Sequence, residues 1–265
     1  MSAGGWIAAM APLFGIFIFA IGAVLGAGAD RFSYWLHVSR GMMLKKHCAR
    51  CFEFQSWLTY VPVFGFVIRR GLCFSCKARL PIQSWLSEIA AGAALTFIWH
   101  AAFVGRSPEG GFEWLRLLLV ALLVFGCAVL IISDLVYDEV PLALFVFTTV
   151  VILTHGFLVG TVNDIFLTLI AGLIGAGIMW ILVALSHWKW VHVHDVLFGA
   201  LVSMIIGWPG FFVTLSLAYL LAIFGALISW GWNKPVWRGV SWFGIYLFAA
   251  LALQGILAVL TAAPV

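Results

Sequence analysis

Long apolar runs separated by short polar stretches fill the chain from end to end. Runs near residues 6–29, 84–104, 114–134, 141–160, 163–186, 194–209, 210–230 and 238–262 each approach the roughly 20 apolar residues that a membrane-crossing helix needs. The sixth is short, and only the turn signal Trp208-Pro209-Gly210 parts it from the seventh. The count is therefore eight spans, or seven if those two are one. Strands of an outer-membrane barrel would come as alternating segments of about ten residues, which these runs are not. The pattern predicts an all-α, polytopic transmembrane helix bundle. It divides the chain into a first span at 1–29, a polar loop at 30–83 and a bundle over 84–265.

Composition agrees with the pattern. Of the 265 residues 65% are hydrophobic and 9% are charged, against about 45–50% and about 25% in soluble domains. Too few charges remain to cover a water-facing surface, which excludes a soluble enzyme, a disordered chain and a disulfide-stapled miniprotein. Ala27-Gly28-Ala29 resembles a signal cleavage site, but no positive charge precedes Trp6 and the apolar run exceeds a signal core. The first run is thus expected to stay as a span. Nine of the fourteen basic residues lie between the first two spans: Arg31, Arg40, Lys45, Lys46, Arg50, Arg69, Arg70, Lys77 and Arg79. Positive charge marks the cytoplasmic side, so this loop is expected there, with the N-terminus outside. Counting spans brings the loops near 133–141, 187–194 and 231–238 to the same side.

The polar loop holds Cys48-Ala49-Arg50-Cys51 and Cys73-Phe74-Ser75-Cys76, with 21 residues between the pairs. Two thiolates from each tight turn would complete a tetrahedral four-sulfur site of zinc-ribbon type. A loop of this size cannot build a large core, and bound zinc would supply its folding energy. The alternatives are two disulfides, disfavoured by a reducing cytoplasm, or unrelated cysteines. Cys127, alone in the third span, reads as a packing residue, and His47 as a surface residue.

Among the acids, Asp134 closes one apolar run and Asp195 opens another, both at the expected cytoplasmic face. Ionisable residues there tend to face a bundle interior or a wet cavity. Two carboxylates at one depth can share a proton, leaving one acid and one base to activate water against a peptide carbonyl. The plainer reading makes both helix-end residues that meet lipid headgroups. Gly22 and Gly26, four apart on span one, suit close helix packing. Tryptophans such as Trp85, Trp114 and Trp188 fall near span ends, as an interfacial belt should. There is no repeat and no nucleic-acid motif.

The order of these features resembles the bacterial type IV prepilin peptidase family, from about residue 20 to about 210. Gly26-Ala27-Gly28-Ala29-Asp30 stands where the family has a Gly-Ser-Phe-Leu-Asn stretch. The double CxxC loop follows at the family's spacing, with Val61-Pro62-Val63 and Arg70-Gly71 between the pairs. Pro81 and Glu88-Ile89-Ala90-Ala91-Gly92 resemble its second span. Asp134-Leu135-Val136-Tyr137-Asp138-Glu139-Val140-Pro141 keeps the spacing of the family's first catalytic Asp to a proline, and His192-Val193-His194-Asp195 stands at its Gly-x-Gly-Asp motif. Both glycines are replaced by His192 and His194, Leu142 follows Pro141, and Leu197 stands where a Lys is usual.

The resemblance implies an aspartyl endopeptidase of the inner (cytoplasmic) membrane with its site at the cytoplasmic face, Asp134 and Asp195 being catalytic. Its partners would be the leader regions of prepilins and type II secretion pseudopilins, presented at the lipid bilayer. It further implies methylation of the new N-terminus from S-adenosylmethionine, for which the residues themselves offer no nucleoside motif. His192 and His194 would alter the activity of Asp195; as a pair they could form a metal site, though no third ligand is evident, and the plainer reading makes them interfacial polar residues. The altered motif also admits a non-cutting homologue that acts as a membrane scaffold or chaperone for pilin-like helices.

Overall fold

The computed structural model describes residues 3–38, 51, 61–79, 82–103, 113–159, 162–187, 191–231 and 246–254. Cys48, Lys45, Lys46, Arg50, Lys189, Lys234 and Arg238 lie outside them. In chain order the helices are α1 (Ala3–Val38), α2 (Phe64–Ile68), α3 (Ile82–Phe103), α4 (Glu113–Tyr137), α5 (Leu142–Val159), α6 (Val162–Leu185) and α7 (Val193–Gly231), then α8 over 246–254. The described residues contain no strand, only an isolated antiparallel bridge between Leu72 and Arg79. The protein is all-helical, as its apolar pattern predicts.

Among the described residues four helices are long and apolar enough to cross a membrane, over Leu13–His37, Leu115–Tyr137, Asp164–Leu185 and Val193–Phe224, the last broken at Gly207, and Leu142–Leu158 is a shorter apolar helix. The helix α3 falls where the second span is expected, but Ser84, Ser87 and Glu88 dilute its first turns. The expected eighth span is described only over 246–254. The helix α1 outruns its apolar stretch, reaching Val38 instead of ending near 29, because Ala29 and Ser33 continue its fully buried face.

The chain forms two compact units, Met1–Ile132 and Ser133–Val265. In the first, α1 and α3 touch backbone to backbone. A methyl group at Gly22 would sit 2.6 Å from the Ala91 carbonyl oxygen, and one at Gly26 2.5 Å from that of Ser87. The small-residue face expected on span one therefore exists, and larger side chains there would force the helices apart. Ile18, Ala91, Leu95 and Val124 form the core beside this seam, with Ile21, Leu25 and Trp99 packed around them.

In the second unit α6 and α7 form a similar seam. A methyl at Gly175 would lie 2.5 Å from the Ser203 Cβ, and the Ser203 hydroxyl donates across to the Ala171 carbonyl at 2.6 Å. Gly207 interrupts α7 with φ 78° and ψ 161°, two residues before Pro209. That backbone region is open essentially to glycine alone. Asp195 and Tyr219 lie 12 residues either side of it, and the charge of Asp195 reaches Tyr219. A straight helix would part them by about 36 Å, so the chain folds back at Gly207. The break signalled by Trp208-Pro209-Gly210 is thus real, and the two arms pack as neighbours. Helix α8 seals them: Phe248 meets Phe198 edge to face at 5.7 Å, and Gln254 accepts a hydrogen bond from Thr214.

Candidate active site

The C-terminal end of α4 carries Asp134. Apolar residues fill the turns before it, and Val129 and Leu130 are fully buried. Asp138 donates its N–H to the Asp134 carbonyl at 3.1 Å, then adopts φ 53°, the left-handed conformation that ends helices. Four residues apart on a helix is one face, so Asp138 stands above Asp134. Pro141 then caps α5, its carbonyl accepting from Leu144 and Phe145 at 3.0 and 3.1 Å.

Asp195 belongs to the first turn of α7. Its Oδ2 accepts the backbone N–H of His192 at 2.7 Å, while its own N–H donates to the His192 carbonyl at 3.1 Å. An acidic residue that reaches back from the third helical position to the N-cap is half of a capping box, and the helix dipole favours its charge. The capping bond fixes one carboxylate oxygen and aims the side chain.

Both carboxylates are shielded from solvent, Asp134 at 2% exposure and Asp195 at 0%, and both lie in the second unit. Asp195 is close enough to Asp134 for their charges to interact. On the other side of Asp134, its Oδ1 stands 3.3 Å from Nδ1 of His194. Neither atom has a hydrogen-bond partner among the described residues, so this is proximity without a hydrogen bond. Nδ1 of His192 is buried in the same condition. Two buried acids from different helices thus stand in one unit, one beside the His194 ring and the other bonded to the His192 backbone.

The cysteine loop lies in the first unit. Sγ of Cys51 is 3.8 Å from Sγ of Cys73, and the sulfurs of Cys51, Cys73 and Cys76 are all within 4.8 Å of one another. Sulfurs bound at about 2.3 Å around a tetrahedral ion stand about 3.8 Å apart, whereas a disulfide is about 2.05 Å. The spacing fits metal ligation, and these three residues can hold a metal ion. Cys48, the fourth expected ligand, is outside the described residues. The second CxxC turn is closed by the Leu72–Arg79 bridge and by the Cys73 N–H donating to Ala78 at 2.8 Å.

Glu88 ties this loop to α3. It is buried, and its Oε2 accepts the backbone N–H of Val63 at 2.6 Å. Val63 has φ 62° and ψ −54°, and Phe64 donates to the Pro62 carbonyl at 2.6 Å across it. That is the rare, strained form of γ-turn. Sequence reasoning noted Glu88 and Val61-Pro62-Val63 separately and had no means to join them. It also missed Tyr219, which nears Asp195 only because of the fold-back at Gly207.

An all-helical membrane protein with paired buried acids and a cysteine knuckle is the class this arrangement defines. Residues 16–102 match the family model of the bacterial peptidase A24 N-terminal domain. Through this N-terminal part, the match supports the type IV prepilin peptidase family for the chain. The matched segment contains α1, the cysteine loop and α3 and ends before Asp134. No curated protein and no solved structure matches the chain.

Proposed function

We propose that the protein is an aspartyl endopeptidase of the inner membrane that removes leader peptides from type IV prepilins and type II secretion pseudopilins at the cytoplasmic face. The observation that supports this reading is the burial of both Asp134 and Asp195 within one unit; two carboxylates brought together hold one proton between them. The ionised member takes a proton from water as it attacks the scissile carbonyl, and the protonated member donates to the carbonyl oxygen. A proton then passes to the leaving amine. The pair titrates as a unit. The His192–Asp195 cap keeps the second carboxylate oriented.

The cysteines Cys48, Cys51, Cys73 and Cys76 are assigned to zinc, which when bound supplies folding energy to the loop. Methylation of the new N-terminus from S-adenosylmethionine belongs to this reading through the family resemblance alone. The described residues contain no strand, hence no strand–turn–helix cradle for a nucleoside.

A second reading, a non-cutting scaffold or chaperone for pilin-like helices, draws on the capping bond, which gives Asp195 a structural task of its own. The two separate in membranes containing a pilin precursor. Cleavage by the wild type and its loss in Asp134→Asn and Asp195→Asn is the expected result. Precursor that co-purifies uncut with the wild type would favour the scaffold.

A further inference from the structure

His194 and Asp138 do more than border Asp134. One ligand atom from each of Asp134, Asp138 and His194 lies within 4.8 Å of the other two. The closest defined pair, Asp134 Oδ1 and His194 Nδ1, stands at 3.3 Å, and both atoms are buried without a hydrogen-bond partner among the described residues. Asp134 is 2% exposed. A buried carboxylate oxygen facing a ring nitrogen at 3.3 Å, outside hydrogen-bond geometry, leaves two lone-pair atoms that a third partner can satisfy. A small cation satisfies both lone pairs at once. Nitrogen and oxygen ligands about 2.0–2.1 Å from a tetrahedral ion stand about 3.3–3.4 Å apart, which is the separation here.

The chain places the third ligand by helix geometry. Asp138 follows Asp134 by one turn, and its φ of 53° ends α4 there, so its carboxylate is exposed at the mouth of the site. The order from inside outward is a buried acid, a half-buried imidazole and an exposed acid. An ion can enter from the mouth without the helices parting. Imidazole with carboxylates suits zinc, cobalt or nickel, and it differs in softness from the all-thiolate loop.

We propose that Asp134, Asp138 and His194 form a binding site for a first-row divalent cation, and that the bound ion switches the peptidase off. The inhibition rests on the aspartyl reading: a carboxylate that ligates an ion is withdrawn from the pair that activates water. The fourth coordination position is left to solvent. Free divalent ion in the cytoplasm thereby becomes a regulator of processing.

The test uses the full-length protein in lipid nanodiscs, titrated with cobalt(II) and followed by absorption. Cobalt in the cysteine loop gives intense thiolate charge-transfer bands, and cobalt on nitrogen and oxygen gives only weak ligand-field bands, so each site reports separately. Asp138→Asn and His194→Ala are each expected to weaken the ligand-field site at least about tenfold, a loss at least as large as that from disturbing an outer-shell partner. The thiolate bands should persist in both and certify the fold. Zinc should depress cleavage by the wild type at least about tenfold and His194→Ala far less. Equal ligand-field affinity in wild type and both variants would overturn the site. Zinc that occupies it while cleavage is unchanged or faster would overturn the inhibition. Asp195→Asn separates the two readings, since it is no ligand and should keep the ligand-field bands while losing cleavage. Full cleavage by Asp195→Asn would dismiss the aspartyl pair, and the inhibition with it, with the cation site still judged by the cobalt titration.

Discussion

The backbone N–H of His192 donates to Oδ2 of Asp195 at 2.7 Å, closing the first turn of α7 on its own acid. This bond explains how a carboxylate can be fully buried and still be held in one orientation. It also gives Asp195 two separable properties, a hydrogen-bond acceptor for the helix and a charge for chemistry.

Asn at position 195 keeps the acceptor and removes the charge. Asp195→Asn should therefore lose no more than about 1 kcal/mol of stability, whereas Asp195→Ala removes the acceptor and leaves the His192 N–H unsatisfied, at a cost of about 1–3 kcal/mol. Thermal unfolding in nanodiscs should rank wild type, Asn, then Ala. Cleavage should fall at least about 100-fold in both, the size expected for removing an acid–base group.

Glu88 holds Val63 in a conformation that a β-branched residue does not adopt unaided. Glu88→Ala leaves the partly buried Val63 N–H without its acceptor, at a cost of about 1 kcal/mol. Limited proteolysis should show faster cutting near residues 61–64, and Glu88→Gln, which retains an acceptor oxygen, should be cut nearly as slowly as the wild type.

Gly207 is the point about which α7 folds back. Any side chain there meets a forbidden backbone region, so Gly207→Ala should lose about 1–3 kcal/mol. It should also lower cleavage, because the arms that bring Tyr219 toward Asp195 would no longer register. A melting temperature equal to that of the wild type would show that the fold-back does not depend on glycine.

In the cysteine loop, Cys73→Ser and Cys51→Ser should each lower the zinc bound per chain measured by elemental analysis, with the loop becoming protease-sensitive. Equal zinc in wild type and both variants would remove these residues as ligands.

Much of the fold was legible because lipid-facing helices write themselves as apolar runs. The starts of α4 and α5, the break near Trp208-Pro209-Gly210 and the close face at Gly22 and Gly26 all follow from local residue type. The cysteine cluster was legible because chelation needs paired thiols at short spacing. Contacts made by chain reversal were not. Nothing in the sequence joins Glu88 to Val63 or Asp195 to Tyr219, since each pair depends on where distant helices dock. The extension of α1 to Val38 was hidden because residues 31–38 mix polar and aromatic types, and tertiary burial of Ser33 decided the matter. His194 stood out only as a departure from a glycine pattern, and its proximity to Asp134 emerged from the structure.

In the proposed mechanism Asp134 and Asp195 act as one chemical unit. A double-mutant cycle on the single-turnover cleavage rate in nanodiscs tests it directly. If the carboxylates work as a pair, Asp134→Asn, Asp195→Asn and the double variant should be slowed by nearly the same factor, because removing either disables the unit. Losses that multiply in the double variant, or wild-type rates in either single, would mean that the two acids do separate work.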